Sequence, residues 1–175
     1  MFKAKELIFT INNMDWSKDI HWKKKSKDNQ KKYKQFMEQA KPKEVINALP
    51  DLHEETFNEI NCLDCANCCK NHSPTFKTTD IKRISKHLKL RESEFIDQYL
   101  KIDEDNDYVL KLSPCPFILT DNKCRIYDVR PSDCARYPYT DEDVFIKRKQ
   151  LTLANSIVCP AVYHVLEKLI SLKKK

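Results

Sequence analysis

Apolar residues recur along most of this chain at the three- and four-residue spacing of amphipathic helices. Residues 44–61 form one such segment, and Pro50 predicts the start of a second helix there rather than an interior position. Thr78-Thr79-Asp80 is typical of a helix start, and a second short helix is expected over residues 92–100. These two helices are predicted to pair over the preceding segment. Pro160 is well placed as the first residue of a last helix.

Strand signals are few and short. Residues 108–112 are the best candidate, and they are predicted to pair with residues 123–127 as a hairpin across Thr120-Asp121-Asn122. Residues 144–146 are a third candidate, and residues 151–157 suit either a strand or a helix. The whole pattern predicts a small α+β domain that is predominantly helical with a few short strands.

The composition limits the possible functions. The chain has 175 residues, of which 41% are hydrophobic and 33% charged, enough for one domain with a real core. Glycine is absent. Phosphate-binding P-loops and dinucleotide fingerprints both need glycines where the backbone approaches phosphate, so the usual nucleotide-dependent enzymes are excluded.

Positive charge is concentrated near the amino terminus. Residues 17–35 contain eight lysines and two aspartates, a net charge of +6 that equals that of the whole chain. We therefore predict a lysine-rich helical arm over residues 1–56 and a second domain over residues 57–175. The arm either packs on that domain or presents a basic patch to a nucleic-acid or acidic protein partner, with Trp16, Trp22 and Tyr33 between the lysines.

Cysteine carries the clearest chemical signal. The eight cysteines are Cys62, Cys65, Cys68, Cys69, Cys115, Cys124, Cys134 and Cys159. Thiolates are soft, strong metal ligands, and two of them three residues apart can bind one ion from a single turn. The opening C-x2-C-x2-C spacing suits an iron–sulfur cluster such as 4Fe-4S, and it suits zinc equally. All eight cysteines are therefore predicted metal ligands, for zinc or iron.

The cysteine spacing does not determine which cysteines bind the same metal ion. Cys68 and Cys69 are neighbours whose side chains are expected to point apart, so they are not expected to hold one mononuclear ion together. Eight thiolates suit two tetrahedral zinc sites, or one iron–sulfur cluster with the remaining thiols elsewhere. His72 is an alternative ligand, Arg130 is expected to pair with Asp133 or a carbonyl, and no catalytic constellation is evident.

The alternative to metal binding is four disulfides. No stretch approaches the roughly 18 apolar residues of a membrane helix. The first residues make a poor signal peptide, because their apolar run is short. We therefore expect a cytoplasmic protein with no membrane partner, and a reducing compartment favours metal ligands over disulfides.

The cysteine motifs resemble a known family. CLDCANCC, CPFI, CRIYDVRPSDCARYP and CPA are similar to the motifs of YkgJ-type cysteine-cluster proteins, the CxxCxxCC zinc- or iron-chelating domain family. The resemblance implies metal chelation. Related clusters occur in an enzyme that methylates flagellin lysines, so an iron–sulfur component of a redox or methyl-transfer enzyme is an alternative function. The family often has arginine directly after the cysteine at position 134, where this chain has Ala135 and then Arg136.

Overall fold

A computed structural model describes residues 21–173 and confirms a predominantly helical α+β domain. Its helices and strands, in chain order, are α1 Trp22–Asp28, α2 Gln30–Gln39, α3 Pro42–Glu59, α4 Cys62–Cys65, α5 Asn67–Asn71, α6 Thr78–Leu88, α7 Glu92–Tyr99, β1 Leu100–Ile102, β2 Tyr108–Leu110, the 3₁₀ helix Tyr127–Val129, α8 Ser132–Arg136, α9 Val144–Lys147, α10 Lys149–Val158 and α11 Pro160–Leu172. Within residues 21–173, no helix is long and apolar enough to cross a membrane.

The first core joins α2 and α3 to α9 and α11. Tyr33, Met37 and Leu49 are fully buried there against α11 residues that include Val165 and Leu166. Each fully buried side chain of this size contributes about 2 kcal/mol of hydrophobic free energy. The lysine-rich segment therefore packs on the carboxy-terminal helices through its apolar stripe.

The expected helix start at Pro50 is wrong, because Pro50 lies inside α3. Proline has no N–H to donate to the carbonyl of Ile46, and its ring crowds the preceding turn. The helix continues because Val45, Leu49 and Leu52 bury one face in the first core, while Pro50 is exposed on the other. Tertiary packing thus outweighs the local cost of proline.

The second core lies beneath α6 and α7. It contains Phe76, Ile81, Ile84, Phe95, Leu100, Leu110, Phe117 and Ile126. The helix start at Thr78 and the helix over residues 92–99 are confirmed.

Strand pairing differs from the prediction. β2 pairs antiparallel with β1, with Leu100 opposite Leu110, and residues 118 and 124 form a single bridge. The predicted hairpin fails because the chain after Cys124 turns into the 3₁₀ helix. Residues 144–146 are helical in α9, since only a helix lets the neighbours Phe145 and Ile146 both reach the first core.

Candidate metal centre

The four clustered cysteines lie on two short helices joined by a left-handed residue. Cys62 and Cys65 belong to α4, and Cys68 and Cys69 belong to α5. Ala66 between them has φ 45° and ψ 19°, a conformation that costs a residue with a Cβ about 1–2 kcal/mol. The turn redirects the chain so that both helices present cysteines to one cleft.

The distant cysteines reach the same cleft from separate elements. The N–H of Cys115 donates to the carbonyl of Cys69 at 2.8 Å, and Cys124 lies at the bridge that closes the 118–124 loop. Cys134 is on α8, and Cys159 precedes the first residue of α11. All eight cysteines line this cleft of about 830 Å³, and all eight are free thiols.

A buried carboxylate fixes α8 beside α6. Asp80 is fully buried and accepts hydrogen bonds from the backbone N–H of Lys77 and from both the N–H and the hydroxyl of Ser132. Arg83 donates to it at 2.6 Å. Burial raises the pKa of Asp80, but the bonds to Arg83, Lys77 and Ser132 outweigh burial and lower it overall. These bonds hold the start of α8, and with it Cys134, against the second core.

Burial dominates the electrostatics of the thiols. It raises the pKa of Cys115 to about 11 and that of Cys159 to about 12, and the nearby thiols add to the effect. Cys69 differs, because its hydrogen bond with the Cys68 thiol lowers its pKa to about 7. The sulfurs of Cys68 and Cys69 lie 3.9 Å apart, so the expectation that these neighbours point apart is wrong. Both face the cleft from a single helical turn.

Backbone N–H groups lie near three of the thiols. Those of Phe117 and Ile118 lower the pKa of Cys115, that of Ile126 lowers the pKa of Cys124, and those of Ala161 and Val162 lower the pKa of Cys159. Burial outweighs them, so the pKa of each thiol stays above its ordinary value. N–H groups beside sulfur stabilise negative charge there, as a metal-bound thiolate requires.

A family model matches this region. The CxxCxxCC domain, described as "Putative zinc- or iron-chelating domain", matches residues 61–160, which contain all eight cysteines and more than half of the chain. The chain belongs to the CxxCxxCC family. The resemblance drawn from the motifs is confirmed, and the family description supports metal binding by this CxxCxxCC protein.

A curated relative also matches part of the chain. The chain is 31% identical over 102 residues to the uncharacterized protein MJ0661 of Methanocaldococcus jannaschii, an alignment of 55% of this chain and 52% of that protein. The CxxCxxCC chain thus spans about half the length of the relative it matches. No solved structure matches the chain.

Tyr137 is a cleft residue whose importance the sequence did not indicate. Its hydroxyl is buried and has no hydrogen-bond partner among the described residues. Burial, followed by the charges of Cys159, Cys68, Tyr139 and Cys65, raises its pKa, and Tyr137 lines the same cleft as these thiols. An unpaired buried hydroxyl costs about 1–3 kcal/mol, and a metal-bound thiolate would be its natural acceptor.

The remaining candidates have peripheral positions. Arg130 donates to the carbonyl of Tyr127 at 2.9 Å and stacks on its ring, which confirms the expected carbonyl contact. Asp133 instead accepts from Thr75 and Tyr139. His72 is exposed at the rim of the cleft.

The donor set of this CxxCxxCC domain fits zinc or iron. It consists of eight free thiols that line one cleft and an orphaned hydroxyl in the same cleft, which suits a soft metal. In the part of the chain that the structure describes, no three His, Cys, Asp or Glu side chains meet closely enough to hold an ion. The assignment of all eight cysteines as ligands stays a prediction.

Proposed function

We propose that this CxxCxxCC protein binds zinc or iron through its eight cysteines, in a reducing compartment such as the cytoplasm. One observation carries the proposal: eight thiols from six separate segments line a single cleft. Random placement would scatter the cysteines over the surface and the cores instead of along one cleft. Convergence on one cleft is expected for ligands, because a metal site is completed by residues distant in sequence.

The protein's own residues supply the binding chemistry. The N–H groups near Cys115, Cys124 and Cys159 lower the pKa of these thiols, and the positive charge of Arg130 lowers that of Cys62 and Cys124. Burial has the larger effect on each of them. Zinc held in this way supplies folding energy, and an iron–sulfur cluster supplies one-electron transfer.

Anaerobic purification followed by elemental analysis and a visible spectrum tests the proposal. We expect zinc or iron bound to the full chain, and a His72→Ala control should retain the same metal content because His72 lies at the rim. A metal-free protein whose thiols react only after reduction would contradict metal binding and support disulfides.

The second candidate is an iron–sulfur component of a redox or methyl-transfer enzyme. The C-x2-C-x2-C run favours it, and so do the N–H groups near Cys115, because N–H groups beside sulfur help to set cluster potentials. Broad visible absorption with several irons per chain would support this function. A colourless zinc protein prepared without oxygen, from cells supplied with iron, would argue against it.

The third candidate is a basic surface for an acidic nucleic-acid or protein partner. Lys23, Lys24, Lys27 and Lys31 are exposed on α1 and α2, whereas Tyr33 is buried and cannot stack on bases. Trp22 packs near Tyr163, and Trp16 lies outside the described residues. Random duplex DNA should bind with steep salt dependence if this surface is used, and reversing Lys23, Lys24 and Lys27 to Glu should abolish binding. DNA binding that persists in this variant would show that the lysine surface is not the binding site.

A further inference from the structure

We propose that the eight cysteines form two adjacent four-thiolate centres with a specific division of ligands. The first quartet is Cys62, Cys65, Cys68 and Cys159, and the second quartet is Cys69, Cys115, Cys124 and Cys134. The division rests on the metal-binding function proposed above. It goes further, because it states which thiols share a centre.

The second quartet assembles around Cys69. Its carbonyl accepts the N–H of Cys115 at 2.8 Å, which holds α5 beside the 115–124 loop. Ile118 bonds back to Cys115 and pairs with Cys124, so this loop brings two sulfurs to one side of the cleft. Burial, followed by the charges of Cys69, Cys115 and Cys124, raises the pKa of Cys134. Every pair among these four thiols interacts electrostatically.

The first quartet assembles where α5 meets the start of α11. The side chain of Asn67 donates to the carbonyl of Val158, which holds α5 beside Cys159. The pKa of Cys159 is raised by burial and then by the charges of Cys62 and Cys65. Besides Cys69, the thiols whose charges raise the pKa of Cys62 and Cys68 belong to the first quartet: Cys65 acts on Cys62, and Cys159 and Cys62 act on Cys68.

The two quartets meet at Cys68 and Cys69. Their 3.9 Å sulfur separation also fits two ligands of one zinc ion, whose sulfurs lie about 3.8 Å apart when each Zn–S bond is about 2.3 Å. The other neighbours decide between these arrangements. Asn67, next to Cys68, is bonded to the carbonyl of Val158 beside Cys159, and the carbonyl of Cys69 is bonded to the N–H of Cys115. Each neighbour therefore belongs to a different centre.

Each quartet also belongs to a different core. Cys159 is buried within the first core, and Cys115 and Cys124 pack against the second core. A ligand fixed in a packed core cannot move far towards the other core without opening a cavity. The packing of the two cores therefore holds Cys159 apart from Cys115 and Cys124.

Arg130 lines the cleft that the two quartets share. It lowers the pKa of Cys62 in the first quartet and that of Cys124 in the second, although burial raises both. A divalent zinc with four thiolates carries a net charge of about −2, so adjacent centres repel each other. A guanidinium that interacts with one thiol of each quartet reduces that repulsion.

Metal counting on full-length serine variants tests the division. Cys65→Ser and Cys134→Ser should each reduce the metal content to half, and the variant carrying both should bind none. Cys62→Ser with Cys65→Ser, within one quartet, should bind as much as Cys65→Ser alone. Equal losses for within-quartet and cross-quartet pairs would overturn the division. Metal-free wild-type protein would instead overturn the proposed function itself.

A second measurement avoids variants that fail to fold. Apo wild-type protein is given limiting zinc, free thiols are alkylated, and the intact chain is fragmented in a mass spectrometer. We expect molecules that carry eight, four or no labels, with the four labels confined to one quartet. Half-loaded molecules whose labels mix Cys115 or Cys134 with Cys159 would overturn the division, as would a single centre that protects all the thiols at once.

Discussion

Tyr137 shows how one atom can link stability to the metal centre. Its buried hydroxyl has no partner among the described residues, and Tyr137 lines the cleft that also contains Cys65, Cys68 and Cys159. Tyr137→Phe removes a costly unpaired group from the metal-free protein, but it also removes a hydrogen-bond donor to thiolate sulfur. We expect unchanged metal stoichiometry and about 10-fold weaker metal binding, measured by chelator competition.

The control for this substitution is Tyr99→Phe, since Tyr99 packs on Phe95 and Phe117 in the second core. It should leave metal affinity unchanged. Equal metal affinity in the Tyr137→Phe variant and the wild-type protein would mean that the hydroxyl does not bond to sulfur.

Asp80 controls stability through buried hydrogen bonds. Asp80→Asn breaks the ion pair with Arg83 and disturbs the bonds to Lys77 and Ser132, so we expect a loss of about 3 kcal/mol in the free energy of unfolding. Urea denaturation measures it, with the exposed Asp97→Asn as control. An equal effect of the two substitutions would exclude a structural role for Asp80.

The same carboxylate gives a pH dependence with a defined sign. The folded pKa of Asp80 lies below its ordinary value of 3.8, so its contribution is present above that pH. The contribution is lost as the pH falls through the folded pKa. The difference in stability between wild-type protein and Asp80→Asn should be constant near neutrality and shrink below about pH 4. A difference that grows on acidification would contradict the lowered pKa.

At the level of the elements, α3 illustrates a local preference that packing overrides. Pro50 is exposed in the helix interior, so Pro50→Ala should restore the bond to the carbonyl of Ile46. We expect a gain of about 1–2 kcal/mol in the free energy of unfolding, after allowing for the greater freedom of the unfolded chain. Chemical denaturation measures it.

Pro42→Ala is the matched control, because Pro42 is the first residue of α3, where proline is favoured and no N–H is needed. That change should give no comparable gain. If Pro50→Ala destabilises the protein instead, the helix does not run through position 50.

At the scale of the whole molecule, the cysteine cleft connects the two cores. Cys159 lies in the first core, and Cys115 and Cys124 pack against the second. Removing the metal with a chelator under reducing conditions should lower the Tm. Free metal at 1,000 times its Kd contributes about 4 kcal/mol to stability, and that contribution is lost. Circular dichroism measures the change.

The control adds chelator together with excess metal, which should preserve the original Tm. An identical Tm for metal-loaded protein and verified metal-free protein would contradict a stabilising role for the metal.

Much of the fold could be predicted from local signals. Thr78 as a helix start, the helix before residue 100 and Pro160 at the start of α11 are confirmed, because capping and periodicity act within a few residues. The predicted hairpin to residues 123–127 and the predicted strand at residues 144–146 are wrong. Strand pairing, and the burial of Phe145 and Ile146, depend on residues far away in the sequence. The predicted helix start at Pro50 is wrong for the same reason.

The residues along the chain were sufficient to identify the family and to predict a soft-metal site, because thiol chemistry and cysteine spacing can be read locally. Folding in three dimensions brought all eight thiols to one cleft, placed Tyr137 and Arg130 beside them and put Cys115 and Cys159 against different cores. None of these arrangements has a local signal. Contacts between residues far apart in sequence arise only when the cores pack, and packing depends on the whole chain at once.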